Sequence, residues 1–147
     1  MKTIGQLLTI KGRAVWTIAP DATVYEALTL MAEKEIGALV VVQAGQVVGI
    51  LSERDYARKV ILKGKFSKDT LVKEIMSSPV IATRPEQTVA ECMALMTDKR
   101  VRHLPVLEGD QLVGLVSIGD LVKSIISDQE FLIENLQAYI AGNRPRQ

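Results

Sequence analysis

Val48-Gly-Ile-Leu-Ser52-Glu-Arg-Asp55 returns 65 residues further on as Val113-Gly-Leu-Val-Ser117-Ile-Gly-Asp120. In both stretches an apolar run of strand length ends on a serine. An aspartate stands three residues beyond it, where a strand would give way to the first turn of a helix. Working outward from these anchors, residues 17–61 fall on residues 82–126 without a gap. Pro20, Thr23, Val24, Glu26, Leu30, Met31 and Lys34 land on Pro85, Thr88, Val89, Glu91, Leu95, Met96 and Lys99. Leu39, Val41, Gln46, Val48, Gly49, Ser52 and Asp55 land on Leu104, Val106, Gln111, Val113, Gly114, Ser117 and Asp120. A gapless match of this length marks an internal repeat.

Periodicity gives both copies the same elements. Thr23-Val-Tyr-Glu26 and Thr88-Val-Ala-Glu91 read as capping boxes, in which hydroxyl and carboxylate each satisfy a free amide at a helix start. The helices that follow carry the apolar stripes Val24, Ala27, Leu28, Met31 and Val89, Cys92, Met93, Met96, spaced for one core-facing side. Cys92 takes the place of Ala27 in the other copy and reads as packing. Ala38-Leu-Val-Val-Val42 and Leu104-Pro-Val-Leu107 lead through Gly-containing turns into residues 47–51 and 112–116, two buried hairpins. After Ser52 and Ser117 helical spacing resumes. With short extended stretches at residues 14–18 and 80–83, each copy reads strand, helix, strand, strand, helix, an α+β arrangement of two βαββα motifs.

The expected organisation is a lead-in over residues 1–13 with a short helix at 3–10, a first motif over 14–62 and a linker over 63–79 with a short helix at 71–76. A second motif follows over 80–127, then a C-terminal helix and tail over 128–147. A unit of about 50 residues buries little apolar surface alone, so the copies are expected to share one core. Phe131, Leu132, Leu136 and Ile140 exceed what a single helix needs internally and suggest a partner surface. Residues 143–147 read as a frayed tail.

The chain has 147 residues, 48% hydrophobic and 24% charged, with a formal net charge of +1. This excludes intrinsic disorder and gives no global attraction to nucleic acid or an anionic membrane. No basic-then-apolar leader follows Met1, and no apolar run approaches the roughly 18 residues that would span a bilayer, so a cytoplasmic protein is expected. Cys92 and His103 are the only residues of their kinds, which excludes an intrachain disulfide, a multi-thiolate metal site and any site built on two histidines of one chain. There is no Gly-x-x-x-x-Gly-Lys loop and no Gly-x-Gly-x-x-Gly turn, and no acidic pair is picked out by spacing, so catalysis is not expected.

The two anchor stretches, with Pro20, Pro85 and the helix stripes, resemble the motif of CBS domains: a strand ending in Gly, two apolar residues and Ser or Thr, then Asp at a helix start. The resemblance covers nearly the whole chain. It implies a stand-alone tandem pair, or Bateman module, whose copies pack about a pseudo-twofold axis and leave two clefts that commonly take adenosine-containing ligands. It also implies a homodimer.

The residues suit such a site. An Asp in the first turn of a helix can accept both hydroxyls of a ribose, a task for Asp55 and Asp120. Ser52 and Ser117 stand where free amides and the helix dipole favour a phosphate. Capping alone would explain one Ser-x-x-Asp, whereas its recurrence favours the ligand reading. Arg54 and Arg58, four apart, could clamp phosphates or form a solvated face. Gly37-Ala38 is replaced by Arg102-His103 in the second copy, where the family's middle strand lines the cleft. By that resemblance Ala38, Leu104 and Pro105 join the expected ligand set, with Arg102 and His103 meeting a phosphate. Thr17 matches a ligand-contacting threonine of the family, and Ala82, its counterpart, lacks the hydroxyl, so the two sites are expected to differ. Trp16 and Ile81 either wall an adenine pocket or fill core, with core favoured.

Two functions compete. One is a sensor that binds AMP, ATP, NAD(H) or a related adenosyl ligand as a regulatory rather than catalytic cofactor and signals to a protein target. The other is a ligand-independent oligomerisation or interaction module. Nucleic-acid binding through residues 54–68 is weakened by near-neutral charge and few aromatics.

Overall fold

A computed structural model describes residues 2–142. The expected frayed tail at 143–147 lies outside the described residues. The element order is α1 (Ile4–Lys11), β1 (Thr17–Ile18), α2 (Val24–Lys34), β2 (Ala38–Gln43), β3 (Gln46–Ser52), α3 (Glu53–Tyr56), a π-helical turn (Ala57–Ile61), α4 (Val72–Ile75), α5 (Val89–Lys99), β4 (His103–Glu108), β5 (Gln111–Ser117) and α6 (Ile118–Ile140).

The hairpins stand where the alternation put them. β2 pairs antiparallel with β3 and β4 with β5, with an irregularity after Val41 in one and Val106 in the other. The leading strands are shorter than expected. Residues 14–18 yield only Thr17–Ile18, parallel to β2, and residues 80–83 yield a single parallel bridge from Thr83 to Val106. That bridge sits at the repeat position of Ile18 and Val41, so the topology repeats even where the strand is reduced to one residue.

Capping follows the sequence closely. Thr88 and Glu91 form a complete capping box. Thr23 accepts from the Glu26 amide at 3.1 Å, but the Glu26 carboxylate takes the Thr23 hydroxyl rather than its amide, so only half of the first box forms. α6 is one helix that runs through the expected boundary at residues 127 and 128 without a break.

The expectation of one shared core is corrected. Each copy has its own. Val24, Ala27, Met31, Leu39, Val41, Leu51 and Val60 cluster with Val72 and Ile75 of α4. Val89, Cys92, Met96, Leu104, Val106, Val116 and Leu121 cluster with Ile4, Leu7 and Leu8 of α1. The lead helix of the first copy thus closes the core of the second, and the linker helix closes the first. Equivalent backbone bonds pin both. Val89 N–H donates to Lys2 O at 3.0 Å and Ile4 N–H to Gln87 O at 2.8 Å; Val24 N–H donates to Thr70 O and Val72 N–H to Ala22 O, both at 2.8 Å. Glycine lets each helix sit close, since a Cβ on Gly114 would stand 2.7 Å from both Leu8 methyls and one on Gly49 would stand 2.5 Å from Met76 Sδ, so that in either case a side chain would have to shift.

Candidate functional site

Ser117 ends β5 in extended backbone and caps α6, and Asp120 completes the box. Ser117 N–H donates to Asp120 Oδ2 at 2.8 Å, and Asp120 N–H donates to Ser117 Oγ at 3.1 Å. Capping is therefore a real role of this pair. Asp120 also faces a cleft. A cavity of about 360 Å³ is lined by Ala14, Val15, Trp16, Glu35, Ile36, Gly37 and Ala38 from the first copy, by His103, Leu115, Ser117 and Asp120 from the second, and by Lys11. Of the residues singled out in the sequence, Ala38, His103, Ser117 and Asp120 meet here.

Lys11, in the last turn of α1, reaches the floor of this cleft. Its ammonium donates to Asp120 Oδ2 at 2.6 Å and to the Leu115 carbonyl. Burial pushes the Asp120 carboxyl up, but the bonds from Lys11 and from the Ser117 amide outweigh it and hold the group below the usual carboxylate range. His103 opposes Ser117 in the β4–β5 ladder. Burial holds its imidazole below the ordinary histidine value, against the pull of Asp120 and with help from the Lys11 and Arg102 charges.

The first copy differs. Ser52 and Asp55 form the same box, at 3.0 and 3.2 Å, but the other Asp55 oxygen is taken by Lys59 at 3.2 Å and Ser77 Oγ at 3.4 Å. Its side chain is 13% exposed against 26% for Asp120. The aspartate of the second copy is the more open of the two.

Of the remaining candidates, all but Trp16 lie outside this cleft lining. Leu104 is fully buried in the second core, and Pro105 is buried behind it. Ile81 packs on that same core, as favoured, beside a half-buried Ala82. Trp16 corrects the core assignment: it is 42% exposed, lines the cleft, and carries the Lys34 ammonium 4.2 Å from its ring centre. Thr17, Arg54, Arg58 and Arg102 are exposed, and the π-helical turn begins between the two first-copy arginines. Cys92 is buried, with Sγ 3.1 Å from Thr83 Oγ1, and burial raises its thiol. Lys11 was missed in the sequence reading.

A strand-helix-hairpin-helix unit used twice, with the serine and aspartate of one copy facing the middle-strand entry of the other across a cleft, defines a tandem-repeat module. The CBS domain family model matches residues 9–62 and 72–127, and the chain belongs to that family. It is 40% identical over 150 residues, 95% of this chain and 72% of the relative, to the mitochondrial CBS domain-containing protein CBSX3 of Arabidopsis thaliana. A solved CBS-domain protein of Burkholderia ambifaria superposes with a TM-score of 0.83 at 53% identity, covering 87% of this chain and 96% of that one. The CBS domain pair of protein MJ0100, solved with 5'-methylthioadenosine and S-adenosyl-L-methionine, has a TM-score of 0.78 over 87% of this chain and 98% of that one; at 22% identity it shares the fold. Among the described residues no helix is long and apolar enough to cross a membrane.

Proposed function

We propose that this protein is a non-catalytic regulatory module that binds an adenosine-containing ligand in the cleft between its copies and passes the change in their packing to a protein target. One observation carries the reading: a cavity of about 360 Å³ brings Asp120, Ser117 and His103 of one copy against Trp16 and Ala38 of the other. That volume lies within the range of small-ligand sites. Asp120 supplies the acceptor for ribose hydroxyls, and the apolar and aromatic first-copy wall supplies a face for the base. The adenosyl ligands held by MJ0100 support the choice of ligand class. AMP, ATP and NAD(H) are the candidates, and a homodimer in a reducing compartment such as the cytosol is the form in which we expect the protein to act.

The test is thermal unfolding with AMP, ADP, ATP, NAD, NADH and S-adenosylmethionine. Ligand at about 100 times its dissociation constant should stabilise the fold by about 2.7 kcal/mol, a rise of several degrees. Asp120→Asn, which keeps the shape of the cap, should abolish the rise. No shift with any of the six would refute the reading. The exposed apolar residues from Phe131 to Ile140 favour the second reading, an oligomerisation module.

A further inference from the structure

A second cavity, of about 340 Å³, lies between α1 and α6 and shares two walls with the cleft, Lys11 and Asp120. Its other lining residues include Lys2, Lys123, Ser124 and Ser127. Three lysines, Lys2, Lys11 and Lys123, therefore line a space that one carboxylate residue, Asp120, also lines. Lys2 is paired at 3.2 Å with Asp128, outside the lining, and Lys11 is paired with Asp120. Among the described residues Lys123 has no carboxylate partner. Ser124 is 92% buried, as its 8% exposure shows, and its hydroxyl has no hydrogen-bond partner among the described residues. A buried hydroxyl left without a partner is costly unless something else supplies one.

Lys11 joins the two spaces. As the chain stands, it covers an oxygen of the carboxylate that a ribose would need. A neutral nucleoside whose ribose takes Asp120 Oδ2 displaces this ammonium from its bond and brings no acceptor in exchange, which opposes binding. A ligand that brings its own anion solves both problems, because ribose hydroxyls can take Asp120 while Lys11 turns to a phosphate.

We propose that the cavity between α1 and α6 is a phosphate subsite, and that Lys11, by exchanging Asp120 for the phosphate, restricts the cleft to phosphorylated adenosyl ligands. The proposal rests on the adenosyl reading of the cleft. It makes Lys123, which lines the cavity, the further phosphate contact.

Isothermal titration with adenosine, AMP and ATP on the wild type, Lys11→Met, Lys11→Arg and Lys123→Met separates the possibilities. The wild type should prefer AMP to adenosine by about tenfold or more, the size of one charge-assisted hydrogen bond. Lys11→Met should bind adenosine more tightly and AMP more weakly, so that the preference collapses, and Lys11→Arg should keep it. Lys123→Met should weaken ATP while leaving adenosine unchanged. An AMP-to-adenosine ratio that is the same in the wild type and Lys11→Met would overturn the subsite and leave the adenosyl cleft standing. No binding of any of the three compounds to any form would remove both.

Discussion

Asp120 caps its helix and faces a cleft with the same carboxylate, and Asp55 shows what happens when only the first role is kept. Around Asp55, Lys59 and Ser77 close the second oxygen. Around Asp120, the cation paired with it among the described residues, Lys11, is borrowed from α1, and the carboxylate stays twice as exposed. His103 stands beside it with its imidazole held below the ordinary value by burial. The sign of the resulting pH dependence is fixed. Between the lowered folded value and the unfolded value of about 6.5, the unfolded chain binds more protons, so stability rises with pH. The melting temperature should therefore fall as pH drops from about 7.5 to about 5.5 and level off below the folded value. His103→Gln should flatten that slope, and an equally steep slope in the variant would assign it elsewhere. Asp120, also lowered, stabilises the fold above its unfolded value near 3.9 and contributes acid lability only below it.

The elements inside the repeat were legible in the sequence because local signals agree there: caps, stripes, turn glycines and strand length all point one way. The ends of each copy were not. Ile4, Gln6, Leu7 and Leu8 correspond in character to Val72, Glu74, Ile75 and Met76 at a shift of 68, not 65, with Thr3 and Leu71 at the two N-caps. A gapless slide therefore leaves the lead helices outside the repeat, and their exchange between cores is a long-range fact that no local period carries. The same exchange hid Lys11, which reads as an ordinary basic residue in a last helical turn and meets Asp120 only once α1 crosses to the second copy. Thr17 and the two arginines of α3 and its π-helical turn remain proposals about a site, with the structure placing them on the surface. The far end of α6 was legible as surplus. Its apolar residues beyond the second core are exposed, from Phe131 at 61% to Ile140 at 83%. Truncation after Ser127 removes little that the core uses, so the shortened protein should melt within a few degrees of the full chain. Its mass by light scattering should fall if this stripe joins copies. An unchanged mass together with unchanged partners would remove the oligomerisation reading.

Because each lead helix seals the core of the other copy, neither motif is complete over the residues that define it. The second core needs Ile4, Leu7 and Leu8, which precede the first motif, and the first core needs Val72 and Ile75, which follow it. Two cores closed by exchanged helices should unfold together, although they do not touch as one cluster. The glycines beneath the helices offer the means to test this. In Gly114→Ala the new methyl meets both branches of Leu8 at 2.7 Å, and a branched side chain in a filled core has nowhere to go. In Gly49→Ala the first obstacle is the Met76 thioether at 2.5 Å, which has three rotatable bonds and can swing aside until the Ser77 carbonyl limits it. Overpacking of this kind costs about 1–3 kcal/mol, and Gly114→Ala should lie toward the upper end. For a chain of this length that lowers the melting temperature by several degrees. In scanning calorimetry both variants should still melt in one transition whose calorimetric and van't Hoff enthalpies agree. If Gly114→Ala instead splits the trace into an early and a late component, the second core is melting alone, and helix exchange does not couple the two halves.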